Sequence, residues 1–410
     1  MYRKVEESQT LLINTQAKDL EAQNKEIIKF GFGQSPFLPP SRVINALKEA
    51  AHRKEYSSVQ GDLELRKLMS AFHLAHNGLK VDPNNILVAP GSKILLYTIL
   101  LAFEKADVLI PVPSWVSYAP QAILAGHHLI KVNTSFEERW RVSPKTIREA
   151  LKDKRHHPTI MILNYPGNPD GLTYSSIELK EIAQIAKDHN ILVISDEIYG
   201  LLTFDGSHKS FVDYYPERTI TTTGLSKWCG AGGWRLGAAF LYEDVEKDFK
   251  QALIGIGSET YSCAPTPVQV AAKEAYKSFS DIKDYVGKQT ETLQLIGTYC
   301  ADELNAVQIR VHPPQGGFYI FLDFSIHKEA LSNIGITSSN DLCEHLLKET
   351  GVMILPSSAF GFHKNYLGAR LAFVDFEESK TKEKFNLERD CPQIIKGIGL
   401  IVKWIEGIKN

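Results

Sequence analysis

Short apolar runs alternate with longer stretches of helical periodicity through the middle of the chain. Four of these runs, each rich in valine, isoleucine and leucine and bounded by turn or polar residues, cover 86–89, 108–111, 160–163 and 191–194. Such runs are typical of buried parallel strands, which are joined by crossover helices. The pattern predicts a large α/β domain over residues 46–300, with a mostly parallel sheet flanked by helices.

In the rest of the chain, predicted strands and predicted helices are mixed. Beyond residue 300 we predict strands at 307–311, 318–322 and 370–374, and helices at 339–349 and 391–409. Ser339 is the expected N-cap of the first of these helices. Residues 1–45 hold one polar helix and a stretch rich in proline and glycine, and they could pack on either part. We group them with residues 301–410 in a smaller α+β domain.

Composition narrows the class of protein and its compartment. The formal net charge is −2 and no apolar run approaches the length of a membrane span, so neither nucleic acid nor a membrane is an expected partner. The five cysteines are scattered without a CxxC pair, and the N-terminus has no apolar leader. We therefore expect a cytoplasmic protein with reduced thiols and no metal site.

Polar side chains follow several of the predicted strands. In an open α/β sheet, ligands bind beyond the carboxyl ends of the strands, so these side chains are candidates for a binding site. A further β-branched run at 219–223 leads into a lysine. The candidates are two residues at a helix start, an asparagine, an acid, a tyrosine and that lysine: Ser92, Lys93, Asn168, Asp196, Tyr199 and Lys227.

Pyridoxal phosphate requires this combination of groups. Its aldehyde needs an amine, which Lys227 can supply, and its protonated pyridine nitrogen needs a buried carboxylate such as Asp196. Tyr199 and Asn168 can donate hydrogen bonds to the ring hydroxyl. The candidate set therefore points to this cofactor.

The phosphate and the ring face have candidates of their own. A phosphate dianion suits the amides of a helix N-terminus, here at Ser92 and Lys93, together with a cation that binds in a bidentate manner. Arg235 is that cation, because it follows Lys227 by eight residues inside a glycine-rich turn. Trp115, which follows another strand, could cover the ring.

The order of these motifs resembles that of the class I/II aminotransferases, which are fold type I pyridoxal-phosphate enzymes. The resemblance covers residues 33–370, and in its local motifs the chain is nearest to bacterial aspartate-type members. It rests on Asn168-Pro169-x-Gly171, on Asp196-x-x-Tyr199 and on Ser226-Lys227 followed by Arg235. The implied fold is a large α/β domain with a smaller α+β domain that closes over the substrate.

The resemblance implies a role for each candidate. Lys227 would bind the cofactor as a Schiff base and move a proton between the substrate Cα and the cofactor C4′. Asp196 would pair with the pyridinium, and Tyr199 and Asn168 would hold the ring oxygen. Trp115 would stack on the ring and, like the asparagine, contact the substrate. The implied phosphate ligands are Ser92, Lys93, Ser226 and Arg235.

Three further positions match the family. Arg370 corresponds to the arginine that binds the substrate α-carboxylate, and Gly33 lies in the N-terminal loop that closes over the substrate. Tyr56 corresponds to a tyrosine that the neighbouring subunit gives to the phosphate, which implies a homodimer with shared active sites. The implied substrates are an L-amino acid and a 2-oxo acid.

The chain departs from the family at two positions. Many members have a hydroxyl residue three positions before the lysine, where this chain has Gly224, so one phosphate contact is lost or Thr223 replaces it. Members often have threonine or serine after the Asn-Pro pair, where this chain has Asp170. That carboxylate should point away from the phosphate, because it would otherwise repel it.

The substrate side chain is the least determined feature. Lys93 and the run 115–118 resemble bacterial aspartate-type members, so aspartate or glutamate with 2-oxoglutarate is the first choice. An aromatic or broad-range aminotransferase and a lyase that cleaves a C–S or β bond remain alternatives on the same scaffold. The glycine run 230–233 does not support a NAD-dependent oxidoreductase, since no strand precedes it directly and no acidic residue follows at the required distance.

Overall fold

A seven-stranded sheet forms the centre of the fold. The computed structural model describes residues 9–23, 25–155, 157–377 and 385–409. The described residues form this sheet and two smaller ones. Their strands are β1 (Ile28–Lys29), β2 (Ile86–Ala89), β3 (Asp107–Val112), β4 (His128–Asn133), β5 (Thr159–Asn164), β6 (Leu192–Asp196), β7 (Thr219–Gly224), β8 (Gly237–Phe240), β9 (Tyr319–Asp323), β10 (Val352–Met353), β11 (Leu355–Pro356) and β12 (Gly368–Ala372).

Helices connect and cover these strands. They are α1 (Gln9–Ala22), α2 (Ser41–Ala50), α3 (Leu63–Asn77), α4 (Ser92–Leu101), α5 (Tyr118–Leu124), α6 (Pro144–Ala150), α7 (Ser176–Asp188), α8 (Lys247–Thr260), α9 (Thr266–Ala275), α10 (Ser280–Ala306), α11 (Lys328–Asn333), α12 (Ser339–Thr350), α13 (Leu387–Asp390) and α14 (Pro392–Lys409). None of these described helices is both long enough and apolar enough to cross a membrane.

The strand order of the large sheet is β2-β8-β7-β6-β5-β3-β4. Neighbours from β4 to β7 are parallel, whereas β8 runs antiparallel between β7 and β2. The carboxyl ends of β2, β3, β5, β6 and β7 therefore lie at the same edge as the amino end of β8. The predicted α/β class with a mostly parallel sheet is confirmed.

Both faces of this sheet are covered. In β3, Val108 and Ile110 pack into one apolar cluster, and Leu109 packs into another on the opposite face. Alternate residues of a strand point to opposite faces, so a strand covered on both sides favours a run of apolar or β-branched residues. This explains why β2, β3, β5, β6 and β7 were visible in the sequence.

Two smaller sheets join the N-terminal residues to the C-terminal part of the chain. In the first, Ile28 of β1 pairs in parallel with Val352 of β10. The second is antiparallel and has the order β11-β12-β9, with Arg370 opposite Phe321. Strands predicted at 318–322 and 370–374 are thus present as β9 and β12.

Two local predictions in this part are wrong. The run 307–311 is not a strand: α10 continues to Ala306, Gln308 has a left-handed φ of 65°, and the run contributes one isolated bridge, from Arg310 to Asp323. A left-handed residue cannot continue an extended run. The N-cap of α12 is Ser338 and not Ser339, because the Ser338 hydroxyl accepts from the backbone N–H of the third helical residue in a capping box.

Candidate active site

A cleft of about 580 Å³ opens at the edge where the parallel strands end. All but one of the predicted site residues line it: Gly33, Ser92, Lys93, Trp115, Asn168, Asp196, Tyr199, Ser226, Lys227, Arg235 and Arg370. The exception is Tyr56, whose side chain is 88% exposed and is not part of the cleft lining. The fold therefore brings together residues that are far apart in the sequence.

Lys227 extends into the cleft from the segment that follows β7. Its Nζ donates to the carbonyl oxygen of Gly33 at 3.0 Å. The same nitrogen lies 5.5 Å from the ring centre of Tyr199 and 5.4 Å from that of Phe318. Aromatic faces attract a cation and exclude water on that side. The amine is consequently held between the two aromatic rings and the N-terminal loop that carries Gly33.

Asp196 ends β6 and its carboxylate is buried. Oδ2 accepts from the Tyr118 hydroxyl at 2.7 Å and Oδ1 from the Thr222 hydroxyl at 3.0 Å. Within the described residues no cationic side chain pairs with it. Burial raises the pKa of Asp196 from 3.8 to about 6, although the two hydroxyls oppose that shift. A buried carboxylate without a cation is suited to a positively charged ligand group.

Arg235 and the start of α4 form a cup that suits an anion. A Cβ on Gly91 would lie 2.1 Å from the Arg235 Nη2, and a Cβ on Gly237 would lie 2.2 Å from the Ser92 nitrogen. Glycine at these two positions lets the guanidinium and the first turn of α4 lie close together. The first amides of a helix lack intrahelical partners and carry partial positive charge, so the cup presents several donors.

The missing hydroxyl at Gly224 has a steric cause. A Cβ there would meet the carbonyl oxygen of Leu236 at 2.6 Å, so β7 and the segment before β8 approach too closely for a side chain. Thr223 does not take over the contact. It lines a separate small cavity beside His73 and His208. Since successive strand residues alternate, Thr222 points toward Asp196 and Thr223 points to the opposite side of the sheet.

Asp170 also lies outside the cleft lining, as expected. Its Oδ1 forms an ion pair with Arg141 Nη2 at 2.6 Å, and both side chains are 5% exposed. Burial raises the pKa of the Asp170 carboxyl, while the arginine lowers it. The carboxylate is therefore directed toward a cation and not toward the anion-binding cup.

Arg370 lies on β12 with its guanidinium buried at the other end of the cleft. Nη1 donates to the Asn168 Oδ1 at 3.1 Å and Nη2 to the Gly31 carbonyl oxygen at 2.5 Å. The group stacks on the rings of Tyr319 and Phe360, 4.7 and 5.1 Å from their centres. Its Nε has no hydrogen-bond partner in the described part of the chain. A buried guanidinium held by neutral groups alone is suited to an incoming carboxylate.

Tyr319 is a site residue that the sequence did not suggest. Its hydroxyl accepts a hydrogen bond from Tyr199 at 3.0 Å and lies 3.4 Å from the Gly33 carbonyl oxygen. A Cβ on Gly33 would come within 1.9 Å of this hydroxyl, so only glycine permits the contact. Tyr319 belongs to β9, whose sequence shows nothing but a buried strand.

Three other residues in or beside the cleft were not assigned a role from the sequence. Tyr118 and Thr222 hold Asp196, and Asn164 Nδ2 donates to the Asp196 carbonyl oxygen at 2.8 Å. The sequence did contain a signal for Asn164, because this residue directly follows the strand predicted at 160–163. The sheet register pairs Asp196 with Asn164 on one side and with Thr222 on the other.

Lys93 is the second residue of α4 and lines the cleft. Its Nζ is 5.1 Å from the centre of the Trp115 ring. Burial and the nearby charge of Arg235 lower the pKa of the Lys93 amine. A carboxylate bound here would relieve that repulsion.

The model of the family described as aminotransferase class I and II matches residues 25–378. The chain belongs to this family. It is therefore a pyridoxal-phosphate-dependent aminotransferase, and its substrates are an amino acid and a 2-oxo acid. The resemblance inferred from the motifs is confirmed.

Several known proteins are similar over most of their length. The aspartate aminotransferase of Bacillus sp. (strain YM-2) is 33% identical over 363 residues, which are 86% of this chain and 89% of that protein. Aromatic-amino-acid aminotransferase 2 of Thermococcus litoralis is 31% identical, over 84% of this chain and 86% of that protein. The solved structure of Thermus thermophilus aspartate aminotransferase with maleate has a TM-score of 0.84 at 25% identity, covering 98% of this chain and 100% of that chain.

The residues of the cleft fit the cofactor of this aminotransferase. The glycine-lined cup offers amides and a guanidinium to a phosphate, Lys227 offers an amine, and Asp196 offers a buried carboxylate without a cation. The described residues contain no group of three or more histidine, cysteine, aspartate or glutamate side chains that could hold a metal ion. The donor set is thus suited to an organic phosphate.

Proposed function

We propose that this aminotransferase takes a dicarboxylic amino acid, aspartate or glutamate, as donor and 2-oxoglutarate as acceptor. The proposal is carried by the number of cations in the cleft. Arg235, Lys227 and Arg370 suffice for the cofactor phosphate, the cofactor aldehyde and the substrate α-carboxylate. Lys93 is a further cation that lines the same cleft, and a second substrate carboxylate would use it.

The following roles are proposed for the chain's own groups. When bound, pyridoxal phosphate supplies an aldehyde for amines and a ring that withdraws electrons from the substrate Cα. Lys227 would hold the cofactor aldehyde through its amine, and as a free amine its Nζ would take the proton from the substrate Cα. Asp196 stays ionised and keeps the proton on the ring nitrogen. Arg370 orients the α-carboxylate, and Asn168 positions this arginine.

The first prediction is a donor preference that depends on Lys93. Single turnovers with a panel of amino acids, followed by the change in cofactor absorbance, should rank aspartate and glutamate first. In Lys93→Met, kcat/KM for aspartate should fall by about tenfold or more, because a charge-assisted hydrogen bond is lost. The kcat/KM values for alanine and phenylalanine should stay within about twofold of the wild type.

Two outcomes would contradict this preference. Failure of both aspartate and glutamate as donors would exclude the dicarboxylate proposal. An equal loss for every donor, together with weaker cofactor binding, would place Lys93 on the phosphate instead. Ammonia or thiol release without an oxo acid would indicate a lyase side activity.

An aromatic or broad-range donor is the second candidate. The cleft has aromatic walls formed by Phe32, Trp115, Tyr118 and Tyr319. These faces could pack against an aromatic side chain. In the panel, phenylalanine or tyrosine turning over as fast as aspartate would favour this candidate.

We further propose a homodimer in which Tyr56 completes the neighbouring active site. Two observations support this: the side chain of Tyr56 is exposed, and it does not line the cleft of its own chain. In addition, Gly224 has no hydroxyl to offer the phosphate, so a tyrosine from the neighbouring subunit would supply a missing contact. Co-expression of Tyr56→Ala with Lys227→Ala should restore activity, because each hybrid dimer has one site with both residues. Co-expression of Arg235→Ala with Lys227→Ala should restore none, since both lesions affect residues of the same chain's site.

The test has a clear contrary result. If the Tyr56 and Lys227 variants do not complement each other, although size-exclusion and light-scattering data show mixed dimers, Tyr56 does not act across an interface. Equal complementation by the Arg235 pair would likewise contradict the proposed division of the site.

The domain division and the compartment remain proposals. We propose that residues 46–300 hold the cofactor and that residues 1–45 and 301–410 close over the substrate. The pairing of β1 with β10 and the bond from Arg370 to the Gly31 carbonyl oxygen support this division. A cytoplasmic location is supported by the free state of all five cysteines.

A further inference from the structure

The turn between Gly167 and Leu172 forms part of the cleft wall and carries Asn168. Its backbone closes on itself, because the N–H of Gly167 donates to the Leu172 carbonyl oxygen at 2.9 Å and the N–H of Gly171 donates to the Gly167 carbonyl oxygen at 2.8 Å. On the cleft side, the Asn168 side chain accepts from Arg370. The position of this turn therefore sets the position of a group that holds the substrate-binding arginine.

Asp170 braces the same turn from the side away from the cleft. Its Oδ1 accepts from the Leu172 N–H at 2.8 Å. A Cβ on Gly167 would lie 2.4 Å from this oxygen, so the carboxylate packs directly on the first residue of the turn. The aspartate thus contacts both ends of the turn and fills its interior.

Arg141 locks the aspartate in place from the segment between β4 and α6. Besides its ion pair with Asp170, its Nη1 donates to the Leu172 carbonyl oxygen at 3.3 Å and its Nε to the Arg139 carbonyl oxygen at 3.1 Å. Its guanidinium lies 4.7 Å from the ring centre of Tyr174. Both side chains of the pair are 5% exposed, so the carboxylate is largely removed from water and is balanced by the charge of Arg141.

A small cavity connects this pair with the back of the active site. It is lined by Arg141 and Asp170 on one side and by Asn164, Asn168 and Tyr118 on the other. The last three residues also line the catalytic cleft. The ion pair is therefore one layer behind side chains that hold Asp196 and Arg370.

We propose that Arg141 and Asp170 form a positioning pair that sets the turn bearing Asn168 and, through it, the orientation of Arg370 for the substrate carboxylate. Neither residue touches the substrate. At this position, where many family members have threonine or serine, the aspartate requires a buried cation, because a buried carboxylate without a partner is strongly unfavourable. The proposal rests on the carboxylate-binding role that was proposed for Arg370.

The experiment uses the holoenzyme and maleate, a dicarboxylate that cannot donate an amino group. Its dissociation constant is measured by titration of the cofactor absorbance in the wild type, in Arg141→Met, and in the double variant Arg141→Met/Asp170→Thr. Arg141→Met should weaken maleate binding by about tenfold, because small displacements of an oriented group have large effects. The double variant should recover most of that loss, since it contains no unpaired buried charge.

Kinetics and stability separate positioning from damage to the fold. In Arg141→Met, KM for the amino donor should rise more than kcat falls, as expected for loss of ground-state binding. The unfolding temperature of each cofactor-free variant is measured in parallel. Arg139→Met is the matched control, because Arg139 contacts the same region through Thr173 and Gln315 but not Asp170. It should leave the maleate dissociation constant within about twofold of the wild type.

The outcomes distinguish this inference from the function on which it rests. If Arg370→Lys weakens maleate binding but Arg141→Met does not, the positioning pair is wrong and the carboxylate site stands. If Arg370→Lys has no effect, the proposed role of Arg370 fails instead. If the wild type does not bind maleate, the dicarboxylate proposal fails, and the same variants are compared with the best donor of the panel. If Arg141→Met does not fold, Asp170→Asn is used instead, because asparagine has nearly the same volume as aspartate but no charge. This variant must then weaken maleate binding severalfold for the positioning pair to be supported.

Discussion

Replacing Lys227 by alanine should abolish aminotransfer while leaving a folded protein. The amine would be missing at two stages of the proposed mechanism, in which it would hold the cofactor aldehyde and then carry the Cα proton. Proton transfer by a positioned side chain alone contributes about 10² to 10⁴ in rate, so the combined loss should be about 10⁴ or more. Turnover is measured with a coupled assay for the 2-oxo acid product.

The spectrum and a second variant make this result specific. The visible absorbance of the lysine-bound cofactor should vanish in Lys227→Ala, and free cofactor should be recovered on filtration. Lys227→Arg keeps the positive charge but offers no comparable nucleophile, so it should be equally inactive. The unfolding temperature should change little, because the polar contact that Nζ makes among the described residues is a single hydrogen bond to the Gly33 carbonyl oxygen. Turnover within about tenfold of the wild type would refute the assignment.

Replacing Asp196 by asparagine should have opposite effects on activity and on the stability of the cofactor-free protein. The amide cannot neutralise a protonated ring nitrogen, so turnover should fall by about a hundredfold or more. The cofactor-free protein should nevertheless become more stable at neutral pH. The reason is that Asp196 is buried and, among the described residues, is held by the hydroxyls of Tyr118 and Thr222 and the backbone of Ile198 without a cationic side chain.

The pH dependence of this gain follows from the raised pKa. The folded protein keeps the Asp196 proton up to about pH 6, whereas an ordinary aspartate releases it near 3.8. Between these values the folded state binds more protons, so its stability falls as the pH rises through this window. A difference of about two pH units corresponds to about 3 kcal/mol. The advantage of Asp196→Asn should be largest above about pH 6 and should disappear below about pH 4.

Urea unfolding of the cofactor-free proteins across this pH range measures the gain. Asp323→Asn provides a contrast, because Asp323 is also buried but forms an ion pair with Arg310. That substitution should reduce the free energy of unfolding at neutral pH, since Arg310 loses the buried one of its two carboxylate partners and keeps the exposed Glu137. A stability gain in Asp196→Asn that did not vary with pH would disprove the explanation given for it.

Five of the seven strands of the large sheet, β2, β3, β5, β6 and β7, could be predicted because they are buried on both faces. Residues 108–111 must all be apolar for β3 to be buried, so the strand is visible without its neighbours. Parallel strands share their carboxyl ends, which is why Asp196 and Asn168 could be expected near Lys227. Their convergence in one cleft follows from topology, and their chemical roles remain proposals.

The environment of these residues could not be predicted. Tyr118 and Thr222 hold Asp196 only because β6 pairs with β7 and because α5 begins beside the cleft. Tyr319 enters the site from a separate sheet. The failed strand at 307–311 shows the same limit, since a single left-handed residue, Gln308, ends the extended run. Contacts between distant segments do not produce a periodic pattern of apolar and polar residues in either segment, so they cannot be read from the sequence.

The sequence by itself determined the α/β class, the edge of the sheet where the candidate site residues meet, the cofactor chemistry and the family. Burial patterns and strand ends are local properties, and residue types carry their chemistry with them. Only the tertiary structure decided that Thr223 turns away from the cleft, that the buried Asp196 carboxylate is held by hydroxyl groups, and that Asp170 is held by Arg141. Side-chain direction, desolvation and pairing depend on which segments meet, and that is settled when the chain packs.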